Sequence, residues 1–423
     1  MPADEVLIIG AGVGGLCLAQ GLARRGIPFR VFERDASLSS KSQGYRFRLE
    51  NLGIEALERT LPPPVWELLE RTRPRDSPAD LLRLDARSGE NQGIAVRARG
   101  ATDRERRCYP IDRPWFRELL SLDIKDHIHY GKAFASCETI DDNGHGQGRV
   151  KVTFTDGATA EGRLLVAADG VHSRVRKARL PDHRHLDIER TTMWGRTPLT
   201  AEFEARLNRP DVLQEHFAFM VDAQNPARSC LFAPIRWPGN VGELSGGRLS
   251  ATCRDYVFWA LNFEAPEKRG DNVNVNVNDS PETRARYALE VSREWNPDLR
   301  VLFEMQDVES LYAVNIVSSK PDLPRWETDP RVTFLGDAIH AMSPSGGSGG
   351  LTTVQDVADL CDALDDAGLG KSEVSDARLK EYLEGYEDKM RARAKTAIEY
   401  SFMGGKGIWA GKEWHEYSEV RDL

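Results

Sequence analysis

The chain of 423 residues is poor in several things, and each shortage excludes a class of protein. No apolar run approaches the roughly 20 residues that a membrane-spanning helix needs. The six cysteines (17, 108, 137, 230, 253 and 361) are scattered without a CxxC pair, which argues against a zinc site and against a disulfide framework. The nine histidines show no HExxH or similar spacing, so no metal is expected. Basic residues do not dominate: the net charge of −9 argues against nucleic acid as a partner. A strand opens within six residues of Met1, leaving no room for a signal peptide. These absences together predict a reducing, cytoplasmic setting. What remains is ordinary for a globular protein, 40% apolar and 29% charged, and long enough for two intertwined domains.

The most informative stretch is VLIIGAGVGGLCLAQGLARRGIPFRVFE, residues 6 to 33. Val6 to Ile9 reads as a buried parallel strand. A glycine turn follows, then a helix with Leu16, Ala19, Leu22 and Ala23 on one face, stopped by Gly26. A second strand, Phe29 to Phe32, ends at Glu33. In such a unit Gly10 allows the tight turn, Gly12 lets the backbone approach a pyrophosphate, and Gly15 lets helix and strand pack closely. The helix N-terminus favours an anion there. Glu33 is placed to accept a hydrogen bond from an adenosine ribose and would repel a 2′-phosphate, so the expected ligand is FAD or NAD and not NADP. Arg24, Arg25, Arg34, Lys41, Arg46 and Arg48 cluster in sequence beside this unit, a candidate basic patch for an anionic reductant such as NAD(P)H.

Further along, Tyr45 to Leu49 alternates like a strand, and a helix is expected from Ile54 to Leu61, stopped by Pro62-Pro63-Pro64. Residues 72 to 107 carry weak alternation that suggests strands outside the nucleotide-binding core. Asp112 is a candidate helix cap with Pro114 in the first turn. Val150 to Phe154 and Gly162 to Ala168 read as two strands with Asp156-Gly157 as the turn between them. The second runs into ADGVHSR, which sets Asp169 at the end of a parallel strand, where ligands bind in open α/β sheets. Residues 190 to 265 are aromatic and alternating and predict an antiparallel sheet apart from the parallel one. DNVNVNVND, residues 271 to 279, is expected to be an exposed loop. A helix around Pro281 to Trp295 precedes a strand, Arg331 to Leu335. Gly336-Asp337 and the glycine-dense turn Gly346-Gly347-Ser348-Gly349-Gly350 come next. Helices from Leu351 and over Leu379 to Ser401 close the pattern. A second strand-end acid before a glycine turn calls for one ligand long enough to meet both sites. FAD is that long; NAD would leave Asp337 and Gly349 unexplained.

With GAGVGGL and Glu33, AADGVHSRVR, and FLGDAIHAMSPSGGSGG in this order, the chain resembles the single-component (group A) flavoprotein monooxygenases of the para-hydroxybenzoate hydroxylase fold. It looks most like those of fungal secondary metabolism. The resemblance covers residue 5 to about 400. It implies an α/β fold: a Rossmann-like FAD-binding domain (1–75, 106–187 and 325–423) interleaved with an antiparallel-sheet substrate domain (76–105 and 188–324). It further implies FAD held by Gly10, Gly12, Gly15, Glu33, Arg34, Arg46 and Arg113. Asp169, Gly336, Asp337, Pro344, Gly347, Gly349, Gly350 and Leu351 complete that set. NAD(P)H would be a transient co-substrate: it reduces the flavin, O₂ adds at C4a, and one oxygen atom passes to a small apolar, aromatic or indole-like molecule. Trp194, Arg196, Phe232, Tyr256 and Trp259 are candidate pocket linings, only some of them on the inner face. Arg196 is the candidate catalytic residue, holding a phenolate or carbonyl. Two departures stand out. Many relatives have Gln at Ser348 and Ala-Asn at Gly350-Leu351, so an Asn contact to the ring is lost here. Two rivals share the fold. A flavin-dependent halogenase lacks its WxWxIP motif here, and a prenyl-protein escort would have lost the flavin signatures that this chain keeps.

Overall fold

The computed structural model describes residues 5–38, 46–76, 81–96, 107–140, 147–215, 217–265 and 279–420. Its organising layer is a five-stranded parallel sheet in the order Val332–Phe334, Leu164–Ala167, Val6–Ile9, Phe29–Phe32, Ile128–His129. Every residue of Val6–Ile9 is buried, as a strand covered on both faces requires. The helix Val13–Arg25 follows the glycine turn and ends where Gly26 adopts φ 69°, its N–H donating to the carbonyls of Leu22 and Ala23. The expected strand–turn–helix–strand unit is present with its predicted bounds.

The hairpin differs from the sequence reading. Arg149–Phe154 pairs antiparallel with Thr159–Gly162, and the chain then passes through Arg163 into the separate parallel strand Leu164–Ala167. The run read as one strand is two, each in a different sheet. The triple proline is likewise a boundary and not only a stop: Asn51–Thr60 ends before it, and Pro63 opens a second helix, Pro63–Thr72. Proline suits that position because the first helical N–H has no partner in any case. Asp112 caps Arg113–Leu120 by accepting from the Trp115 N–H, as its position suggests.

A seven-stranded mixed sheet lies apart from the parallel one. Its order is Tyr312–Ser318, Leu186–Pro198, Tyr256–Glu264, Ser229–Ile235, Phe217–Val221, Leu81–Asp85, Asn91–Val96. All its pairs are antiparallel except Phe217–Val221 with Leu81–Asp85, a parallel contact that alternation cannot reveal. One face packs on the helices Ala201–Leu207, Pro281–Val291 and Pro297–Glu304 through Phe232, Trp259, Phe263 and Phe303. The other face looks toward the parallel sheet. Arg46–Glu50 pairs with Cys108–Asp112 between the two layers. Two long helices, Gly349–Ala367 and Asp376–Trp409, close the chain; the second runs eight residues beyond the expected Ser401. Residues 271 to 278 of the Asn-Val stretch, Lys41 and Tyr45 lie outside the described residues. Among the described residues no helix is long and apolar enough to cross a membrane.

Candidate active site

A cavity of about 2720 Å³ runs from the ends of the parallel strands to the open face of the seven-stranded sheet. Single small-molecule sites occupy roughly 300–1,000 Å³, so there is room for two ligands in contact.

One end is built by the first glycine turn. Gly10 has φ 108°, and a Cβ there would lie 2.4 Å from the Ala168 carbonyl oxygen. A Cβ on Gly15 would lie 2.0 Å from the Gly10 carbonyl oxygen, so this glycine permits the helix to start against the strand. Gly12 differs: nothing stands within 4 Å of its Cβ position, and it lines the cavity, leaving bare backbone facing the space. Glu33 is buried. Its carboxylate accepts from the Ala11 N–H at 2.7 Å and the Asp35 N–H at 2.9 Å. An ionised carboxylate accepts about four hydrogen bonds, so Glu33 braces the turn and retains capacity toward the cavity that it lines. Arg117 was not singled out by the sequence. It donates to the Ala11 carbonyl at 3.2 Å and the Leu38 carbonyl at 3.1 Å, one turn beyond Arg113 on the same helix. That i, i+4 spacing was the available signal.

The two strand-end acids sit on loops that are bound to each other. Asp169 Oδ2 accepts from the N–H groups of Arg174 (2.8 Å) and Val175 (3.4 Å), a capping role. Burial raises its carboxyl above the usual range despite those hydrogen bonds. Asp337 is exposed on the cavity wall, after Gly336 at φ 59°. Between them Arg176, only 2% exposed, donates to the carbonyls of Val171 (3.1 Å) and Ala338 (2.9 Å). His183 bonds the Ile339 carbonyl and His185 the Val171 carbonyl, so each uses a protonated Nε2. These three long-range ties were invisible in sequence order. Below Asp337, fully buried His340 meets Asp356, which also holds Arg393. Burial alone would lower His340, but the Asp356 carboxylate outweighs it and the imidazole titrates higher than usual.

The last glycine turn closes the middle of the cavity. Pro344, Gly346, Gly347, Gly349 and Gly350 all line it. A Cβ on Gly346 would meet the Ser401 hydroxyl at 2.7 Å, and one on Gly350 the Phe47 ring at 2.4 Å. Phe47 is itself covered by the Arg113 guanidinium, 5.7 Å from the ring centre. Leu351 stands off the wall: its Cδ1 occupies the space beside Gly53 on the helix Asn51–Thr60. The helix starts at Gly349, two residues earlier than read from the sequence.

At the far end, residues 192 to 198 and 256 to 262 on neighbouring strands turn their even-numbered side chains to the cavity. Trp194 stacks on Tyr312 with centroids 6.0 Å apart, and Tyr256 and Phe258 also line the cavity. Arg196 pairs with Asp307 at 2.9 Å and is half exposed there. Phe232 and Trp259 do not line the cavity. They share a rung of the sheet and point into the core on its other face, both fully buried. The basic cluster also divides. Arg34, Arg46 and Arg48 line the cavity, whereas Arg24 donates to the carbonyls of Glu58 and Leu61 and Arg25 pairs with Asp362, away from it.

The parallel sheet, its three glycine-bearing loops and the long cavity define a dinucleotide-binding enzyme fold of the para-hydroxybenzoate hydroxylase type. Residues 304–401 match the FAD binding domain family model, and residues 8–72 match an NAD(P)-binding Rossmann-like domain. A dual O-methyltransferase/FAD-dependent monooxygenase, CTB3 of Cercospora beticola, is 35% identical over 98% of this chain. The chain spans about half the length (47%) of that relative. The FAD-dependent monooxygenase thnD of Trichoderma harzianum is 27% identical over 98% of this chain and 94% of its own. Among solved structures, one from Photorhabdus luminescens superposes with TM-score 0.77 at 26% identity, covering 96% of this chain and 99% of the other. The 2,6-dihydroxypyridine-3-hydroxylase of Arthrobacter nicotinovorans shares the fold, with TM-score 0.71 at 17% identity over 100% and 98% of the two chains. The chain is similar to FAD-dependent monooxygenases over nearly its whole length and carries the FAD binding domain match. Its cofactor is FAD, and the structure fits that group. A bare glycine backbone at Gly12, a carboxylate with spare capacity at Glu33 and an exposed Asp337 lie along one continuous wall.

Proposed function

We propose that the chain is an NAD(P)H- and O₂-consuming monooxygenase that places one oxygen atom on a small, largely apolar, aromatic or phenolic molecule. The observation that carries this reading is the continuity of the cavity: one wall is glycine backbone and strand-end acid, the other an aromatic sheet face with a paired arginine. FAD, when bound, supplies the redox chemistry, taking electrons from NAD(P)H and activating O₂. The chain supplies the rest. Gly10, Gly12, Gly15 and Glu33, with Arg34, receive the adenosine and pyrophosphate end. Asp337 and the Gly336 and Pro344 to Gly350 segment receive the ribityl and ring end, with Arg46 and Arg113 alongside and the N-terminal turn of the helix at Leu351 behind. Asp169 braces the loop between them. Trp194 and Tyr312 give a planar surface for stacking, and Arg196 can hold a developing oxyanion beside it.

The same reading assigns residues 1–75, 106–187 and 325–423 to the cofactor half and 76–105 and 188–324 to the substrate half. The pairing of an O-methyltransferase with such a module in CTB3 supports a substrate or product bearing hydroxyl groups, because methyl transfer to oxygen needs that nucleophile. The test is direct. Acid release of cofactor from purified protein should give one equivalent of FAD, and NAD(P)H oxidation should accelerate with a hydroxylated aromatic from a panel. Release of NAD or of nothing would end the reading.

A further inference from the structure

One row of polar side chains crosses the sheet face of the cavity and has no role in the account so far. Thr192, Asn262 and Ser229 are cross-strand partners on three neighbouring strands, 1%, 4% and 0% exposed. Thr192 and Asn262 line the cavity. The Thr192 hydroxyl donates to Asn262 Oδ1 at 2.7 Å, and Asn262 Nδ2 donates to the Ser229 hydroxyl at 3.4 Å. The shorter distance is typical of O–H···O and short for N–H···O, so the amide oxygen faces Thr192 and the nitrogen faces Ser229.

This arrangement leaves one donor over. An asparagine amide carries two N–H groups, and among the described residues the Ser229 hydroxyl meets just one of them. The second belongs to a buried side chain that alternation turns to the cavity, where an unmet donor is costly and a ligand acceptor offsets that cost. The neighbouring rungs set what can carry the acceptor. Next along the sheet, Trp194 pairs with Ala260, so a small floor adjoins the indole that stacks on Tyr312. The rung beyond carries Arg196. Positions 192 and 196 are four residues apart on one strand, about 13 Å at ~3.3 Å per residue. A hydrogen bond of about 2.9 Å at each end leaves about 7 Å between the two ligand atoms. That is the separation of oxygens at opposite ends of two fused six-membered rings.

We propose that Asn262, held by Thr192 and Ser229, is a specificity-determining residue that donates to a carbonyl oxygen of the substrate. It selects flat two-ring molecules with that carbonyl at one end and a second oxygen, facing Arg196, at the other. The ring body lies over Ala260 and against Trp194. Thr192 is a positioning residue: without its hydroxyl the amide can turn over, and the donor loses its fixed place. Because the amide does not ionise, the selection is independent of pH. This inference rests on the monooxygenase reading for the substrate's place in the reaction but not for its binding test.

That test uses the flavin-loaded protein and two probes that do not ionise. 7-Methoxycoumarin has the carbonyl; 2-methoxynaphthalene has the same two-ring body and ether oxygen without it. Dissociation constants come from probe fluorescence on titration, and the ratio of the two affinities is compared between parent and variants. Asn262→Leu, similar in volume and without a polar atom, should lower the coumarin preference by about 10-fold, the scale of one buried hydrogen bond. Asn262→Asp keeps the acceptor for Thr192 but offers no N–H, and should lower the preference at least as far. It carries the test if the leucine variant does not fold. Thr192→Val should lower the preference in part, and all three should retain FAD. A preference unchanged in the Asn262 variants, or no binding of either probe to the parent, overturns the proposal. So does an equal loss for both probes, which would make the row a packing element. If the preference falls as expected while no two-ring carbonyl compound accelerates NAD(P)H oxidation, the monooxygenase reading fails and the recognition by Asn262 stands.

Discussion

Acid should loosen the clamp between the two acid-bearing loops, and the structure sets the scale. His183 is 8% exposed and His185 is 1% exposed; each donates its Nε2 proton to a loop carbonyl. Burial, and then the nearby Arg176 guanidinium, hold His183 down to about 4 and His185 down to about 3. An unfolded histidine titrates near ~6.5. Below that value the unfolded chain takes up protons that the folded one refuses, so stability falls as pH falls from ~6.5 toward the two folded values, and is fully present above ~6.5. At pH 5 each histidine is about 1.5 units below its unfolded value, and one unit is worth about 1.36 kcal/mol. The pair should therefore cost about 2 kcal/mol per residue, about 4 together, against a total of roughly 5–15 for a domain. His340 works in the opposite sense: its raised value keeps the Asp356 pair intact in acid, a contribution lost as pH rises through it. Denaturant unfolding of the flavin-free protein at pH 7.5 and 5 should show the loss. His183→Gln with His185→Gln, which keep a donor but cannot ionise, should remove most of it. A double variant as acid-sensitive as the parent would refute the reasoning, as would a parent equally stable at both pH values.

Asp337→Ala should weaken FAD binding by about 1.5–3 kcal/mol, the range for a hydrogen bond to a charged group, read by flavin fluorescence on titration. An unchanged affinity would remove Asp337 from the site. Gly15→Ala places a methyl 2.0 Å from the Gly10 carbonyl oxygen and should destabilise the flavin-free protein by about 3 kcal/mol or more. Gly12→Ala meets nothing within 4 Å and should leave that stability alone while abolishing flavin retention; thermal melts and flavin content separate the two. Arg196→Ala should keep FAD and thermal stability, since its ion pair with Asp307 is half exposed. Oxygenation should fall by about 10²-fold, with NAD(P)H oxidation continuing to hydrogen peroxide. Unaltered coupling would show that another residue orients the substrate.

What was legible in the sequence was local. The glycine turn, Glu33, Asp169 and Asp337 each sit within a few residues of the strand that positions them, and the Asp112 cap and the Gly26 stop obey short-range rules. What depended on pairing was not. Phe232 and Trp259 alternate as well as Trp194 and Arg196 do, and only the register between strands tells which face is the core. The run Gly162 to Ala168 looked like one strand because no local signal marks Arg163 as the crossing from one sheet to another. Arg24 and Arg25 neighbour the site in sequence, but the last turn of their helix lies at the end opposite the glycines. Arg176, His183 and His185 act on carbonyls that folding alone brings near.

The contact between Gly350 and Phe47 makes two distant positions a single unit of inheritance. A ring occupies the volume that a side chain at 350 would need, with 2.4 Å between the ring edge and the Cβ position. The Ala-Asn pair that the family resemblance leads one to expect at 350 and 351 therefore cannot enter this chain alone. Exchange at 350 should be harmful until Phe47 shrinks, and Phe47→Leu should cost packing until 350 grows. Each single change crosses a valley that the double change avoids, so grafting a relative's turn onto this protein requires importing its partner from the first hundred residues as well.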